Sequence, residues 1–108
     1  SMACRVWIEL DGKAFIAPGK AELLAGIQKT GSLRQAATHM GMSYRKAWYS
    51  IQQINKIAPE PVVTLQRGGR HGGIALLTPY GEEILDEYLQ IQREFREFLD
   101  QKSTMLNR

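Results

Sequence analysis

Residues 31–57, GSLRQAATHMGMSYRKAWYSIQQINKI, constrain the fold of this chain more than any other stretch. Gly31 can close a preceding helix in the left-handed conformation, and Ser32 can cap the next. Leu33, Ala36, Ala37 and Met40 then share one face at helical spacing. Gly41-Met42 reads as a turn, and Ser43 as a second cap that opens a helix over 44–57. The paired alanines matter because small side chains let a second helix cross closely, as a helix-turn-helix requires.

The second helix carries two opposed stripes. Ala47, Ile51, Ile54 and Ala58 recur at helical spacing and form a face to be buried. Arg45, Tyr49, Gln52 and Lys56 repeat that spacing about half a turn away. An outer face of guanidinium, phenol, amide and ammonium groups fits a duplex, because Arg suits guanine edges, Gln suits adenine and Lys suits phosphate. Each residue alone would read as ordinary solvated surface; their placement on this helix, with almost no acid nearby, points to DNA.

Charge partition supports this reading. The formal net charge is only +3, but residues 29–80 hold Lys29, Arg34, Arg45, Lys46, Lys56, Arg67 and Arg70 against Glu60 alone. Residues 81–102 reverse the balance, with seven acids against Arg93, Arg96 and Lys102. One surface is therefore suited to a polyanion and the other is not. A length of 108 residues with 44% hydrophobic content predicts one globular domain with a modest core. No apolar run approaches a membrane span and no signal peptide is visible, so no membrane partner is expected. Cys4 is the single cysteine, which precludes an internal disulfide and fits a cytoplasmic, reducing location.

Around this centre, residues 5–17 read as a β-hairpin in which Val6, Ile8 and Leu10 alternate with polar neighbours and Asp11-Gly12 makes the turn. Pro18-Gly19 is expected to end the second strand, and Trp7 to pack under a neighbouring element or a partner chain. Residues 20–30 form a supporting helix through Leu23, Leu24 and Ile27. Tyr44 and Trp48, four residues apart, are expected to stack and seal the core border, or else to meet a thymine methyl or sugar. Asn55 continues that flank as a local cap.

The runs VVTLQR and IALLT flank the loop GGRHGG, giving a hairpin whose tip can approach a surface closely. Arg67, Arg70 and His71 project from it, and a basic-tipped hairpin after a recognition helix reads as a wing. The loop lacks the Gly-Lys-Ser/Thr of a nucleotide site. Neither His39 nor His71 has a second ligand at metal spacing, so no metal, cofactor or catalytic centre is expected.

Thr78-Pro79 opens a last helix, expected over 79–101. At about 1.5 Å per residue it spans roughly 34 Å, more than this core can cover. Ile84, Tyr88, Ile91, Phe95 and Phe98 keep the alternating four-and-three spacing of a helix-pairing seam, and with Leu99 form the expected dimer interface. Residues 1–4 are expected to be a cloning remnant and flexible N-terminus, and 102–108 a frayed tail. The fold class is α+β, mainly α: a winged helix-turn-helix with an N-terminal hairpin and a long C-terminal dimerisation helix.

From residue 5 to about 100 the chain resembles the N-terminal DNA-binding domain of the ModE family, bacterial molybdate-responsive, LysR-like transcriptional regulators. The resemblance rests on GSLRQAATHMGMSYRKAW, Ile51, Asn55, the loop GGRHGG, LLTPYGEEIL, and the order of hairpin, three helices, wing and long helix. It implies a homodimer joined through the last helix on a palindromic operator, with double-stranded DNA as partner. Ser43, Tyr44, Arg45 and Lys46 match the part of the family's helix that enters the major groove, joined by Tyr49 and Gln52 on the same surface. Arg67 and Arg70 match its wing, with Arg34, Lys56 and His71 as further backbone contacts. Family members usually carry a C-terminal oxyanion-binding module; the sequence ends at Arg108, so the expectation is constitutive DNA binding or control by a separate effector-sensing protein. Alternatives are a winged-helix protein-interaction module and an oxyanion sensor using Arg67, Arg70 and the glycine loop.

Overall fold

The computed structural model describes residues 2–68 and 73–106, with side chains as far as Ser103. The elements run β1 (Ile8–Leu10), β2 (Lys13–Ile16), α1 (Pro18–Thr30), α2 (Leu33–His39), α3 (Tyr44–Ile57), β3 (Val63–Gln66), β4 (Ile74–Leu77) and α4 (Pro79–Leu106). This is the expected α+β winged helix-turn-helix. Among the described residues no helix is long and apolar enough to cross a membrane.

The hairpin β1–β2 turns at Asp11-Gly12, where φ is 50° and 77°, the left-handed pair that a tight antiparallel turn needs. Phe15 and Ile16 carry its burial, packing among the helices. Strand β2 stops at Ile16, ahead of Pro18-Gly19 as expected, but Pro18 also begins α1, two residues before the anticipated start at 20, because there a missing N–H costs nothing and φ is already helical. Helix α1 crosses α2 at Gly26, so close that a Cβ there would stand 3.0 Å from Ala36 Cβ. Of the paired alanines of α2, Ala36 therefore meets α1.

Both expected caps of the helical pair are present. Ser32 Oγ accepts the Gln35 N–H and Ser43 Oγ the Lys46 N–H, each at 3.1 Å. Between the two helices Gly41 adopts φ 67°, open to glycine at no steric cost. Ala47, Ile51 and Ile54 of α3 are buried with Leu23, Leu24, Ile27 and Leu33 in one core. Strand β4 joins this core through Ala75, whose N–H donates to Gly31 O at 2.9 Å. The wing pair is regular, from Val63 opposite Leu77 to Gln66 opposite Ile74.

Helix α4 differs from expectation in two ways. It runs on to Leu106, past the anticipated end at 101. Its seam also divides into two faces. Leu85 and Tyr88 are buried in the core, Tyr88 donating its hydroxyl to Val6 O at 2.6 Å, and Leu99 is covered by the chain itself. Ile91, Phe95 and Phe98 face outward, while Ile84 is half-buried. Trp7 is not packed under a neighbour: half of it is exposed, and its indole N–H donates to Glu9 Oε2 at 2.8 Å.

Candidate nucleic-acid interface

Helix α3 turns Ala47, Ile51 and Ile54 inward, so Arg45, Lys46, Tyr49, Gln52 and Lys56 point outward, all exposed. An open groove of about 750 Å³ separates this surface from the wing. Tyr44, Arg45, Trp48, Tyr49 and Gln52 form one wall, and Leu65, Gln66, Arg67, Gly68 and Gly73 the other. The fold thus brings Tyr44, Arg45, Tyr49 and Gln52 of the expected α3 surface opposite Arg67 of the wing. Ser43, Lys46 and Lys56 lie outside the groove wall, and the Ser43 hydroxyl is engaged as the helix cap. Arg70 and His71 lie outside the described residues.

The cations here are oriented by aromatic rings. Arg45 Cζ lies 5.8 Å from the centroid of Tyr49, one turn along α3. Arg34 Cζ on α2 lies 4.9 Å from the Tyr44 centroid, and both residues also border a small cleft with Ser32, Gln66 and Gly73 beside the wing. A guanidinium over a ring face keeps its N–H edges free for an acceptor. Tyr44 and Trp48 do not stack or seal the core. Trp48 is 38% exposed and meets Tyr49 edge-on at 5.3 Å, so aromatic surface lines the groove.

Carboxylates are scarce around these groups. The sequence has no Asp or Glu between Glu22 and Glu60. Among the described residues the observed ion pair is Arg96–Asp100 on α4, at 4.0 Å, leaving Arg34, Arg45, Lys46, Lys56 and Arg67 without a carboxylate that close. An unneutralised cationic surface beside a wide groove suits a polyanion, and mixed amide, guanidinium and aromatic groups suit base edges.

Asn55 does not act locally on α3, as its place on the flank suggests. Its Oδ1 accepts from Val62 N (2.8 Å) and Val63 N (3.2 Å), while Nδ2 donates to Val63 O (2.9 Å). It ties α3 to the base of the wing, a pairing across seven and eight residues that carries no sequence signal beyond a polar residue beside a buried stripe.

No protein-family model matches the chain. Curated relatives do. The chain is 36% identical over 103 residues to the molybdenum transport protein ModE of Azotobacter vinelandii, covering 95% of this chain and 38% of that protein. It is 40% identical over 86 residues to the transcriptional regulator ModE of Haemophilus influenzae, covering 80% of this chain and 34% of the relative. The DNA-binding transcriptional dual regulator ModE of Escherichia coli is 36% identical over 90 residues, 81% of this chain and 34% of its own length. The chain therefore spans roughly a third of the length of the relatives it matches.

Proposed function

The chain belongs to the ModE family over the segment it shares with these regulators, and we propose from that membership that it is a sequence-specific DNA-binding transcriptional regulator, acting as a homodimer on a palindromic operator. The observation that carries this reading is the carboxylate-free face of α3 set across an open groove from Arg67. Helix α3 lies in the major groove, Arg45 reading guanine and Gln52 adenine, with Tyr44 and Tyr49 against the base and sugar edges. Arg34, Lys46, Lys56 and Arg67 engage phosphates, so affinity comes largely from counterion release.

The homodimer forms along α4 through Ile91, Phe95 and Phe98, which are exposed on one side of that helix. A two-fold axis there sets the paired α3 helices about 34 Å apart, one turn of B-DNA. Selection of bound sequences from a random duplex library tests the reading. The expected result is an enriched, two-fold symmetric consensus whose half-sites repeat at about one helical turn. No enrichment at low salt, or enrichment without symmetry, refutes it.

A further inference from the structure

The segment between α3 and the wing is gripped from two sides. On one side stands Asn55, whose single side-chain amide makes the three bonds to Val62 and Val63 described above. On the other stands the start of α4. Thr78 Oγ1 donates to Pro61 O at 2.7 Å, and Thr78 N donates to Val62 O at 3.0 Å. Thr78 Oγ1 in turn accepts the Gly81 N–H at 2.9 Å, capping α4. Gly81 lies so close to this segment that a Cβ on it would be 2.1 Å from Val62 O. Val62 itself is fully buried. Residues 61–63 are thus bonded both to α3 and to the start of α4.

This matters because β3 starts at Val63 and leads to Arg67 in four residues. The strand pair is held to the core by Val63 and Ala75, with Leu65 and Leu77 packed beside them. Strand β4 is anchored to Gly31 O by one bond through Ala75; β3 has its base bonded to the recognition helix itself. Through these bonds Asn55 couples the base of β3, and with it the wall of the groove that carries Arg67, directly to the helix that carries Arg45.

We infer that Asn55 is a positioning residue for duplex binding: it fixes the wing against α3 so that Arg45 and Arg67 engage the same duplex together. Asn55 is half-buried and outside the groove wall, so it acts through the wing. The inference rests on the DNA-binding reading. The amide is suited to the task because it offers an acceptor and a donor from one planar group. Alanine removes all three bonds, whereas glutamine keeps the uncharged amide but displaces it by one methylene.

The test uses the full chain and the duplex recovered by library selection, with binding measured over a range of salt concentrations. Unfolding and sedimentation are followed in parallel, so that only the folded fraction is scored. For Asn55→Ala, the slope of log affinity against log salt is expected to fall by about 1 per half-site, as it does when each wing neutralises one phosphate fewer. Base preference at positions read by α3 is expected to persist. Amide exchange at Val62 and Val63 in the free protein is expected to quicken. Asn55→Gln, which adds no charge, is expected to show the same changes to a smaller degree, and it decides the matter should Asn55→Ala fail to fold. A folded variant with unchanged salt slope and operator affinity overturns the inference, because a residue serving stability alone lowers the unfolding midpoint without touching the slope. A wild-type chain that binds no duplex overturns the DNA-binding reading and this role together, and is told apart because it appears before any substitution is made.

Discussion

The guanidinium of Arg34 lies 4.9 Å from the centroid of the Tyr44 ring, so a cation borne by α2 is held over the first residue of α3. The two helices of the pair thereby present one continuous surface. Arg34→Ala is expected to weaken binding to specific and random duplexes alike, and to reduce the salt slope by about 1 per half-site. Anisotropy titrations with both duplexes check this; a change of base preference at one operator position would show that Arg34 reads sequence.

Arg45 is oriented differently, over Tyr49 of its own helix and into the groove opposite Arg67. Arg45→Ala is expected to cost about 1–3 kcal/mol of operator binding and to relax preference at one base pair per half-site. Competition between the operator and single-base variants measures both. Wild-type affinity in the variant would remove Arg45 from the base-reading set.

Phe98 is 52% exposed, and its ring sits beside that of Phe95, 6.1 Å away between centroids. Lone aromatics are common on surfaces, and the proposed homodimer covers the strip that these two form with Ile91 on one helix side. The wild-type chain is expected to sediment as a dimer, and Phe98→Glu as a monomer with native circular dichroism and weakened operator binding. A Phe98→Glu chain that remains dimeric would move the interface elsewhere.

Tyr88 gives a pH prediction. Burial raises its phenol above the ordinary value of 10.0, outweighing the hydrogen bond from Gln92 and the charge of Arg5, which lower it. Burial raises Tyr80 in the same direction, aided by Glu60 and Glu87. An unfolded phenol ionises first, so this stabilisation is whole below pH 10 and disappears as pH rises through the folded values. Urea midpoints are expected to fall above about pH 10. Tyr88→Phe is expected to lose about 1 kcal/mol at neutral pH with the bond to Val6 O and to show a shallower alkaline fall, with Tyr80's share remaining.

The bounds of α3 and the two serine caps are readable in the sequence because each rests on local chemistry: a β-region hydroxyl one residue before an apolar stripe of period 3.6. The wing is readable for the same reason, as two β-rich runs around glycines. Three features are not. Spacing shows that apolar residues on α4 share a helix side, but not whether the chain's own core or a second surface meets them. Leu85, Tyr88 and Leu99 point inward while Ile91 and Phe98 point out, an offset of only a residue or two in register. Pro18 fits both the end of a strand and the first turn of a helix, and only packing of Ala21, Leu23 and Leu24 decides for the helix. The bonds from Asn55 to Val62 and Val63 depend on how the chain returns after Pro59 and Pro61, which no local pattern encodes.

The claim on which the account depends is that the exposed face of α3, together with the wing, meets a duplex. Backbone amide shifts of the 12.2 kDa chain, followed by nuclear magnetic resonance as operator duplex is added, test it most directly. The predicted result is that amides of 44–56 and of Gln66 and Arg67 move, while those of β1, β2 and the outer side of α4 at 91–98 stay still. Shifts centred on α4 or the first hairpin, with α3 undisturbed, would contradict it.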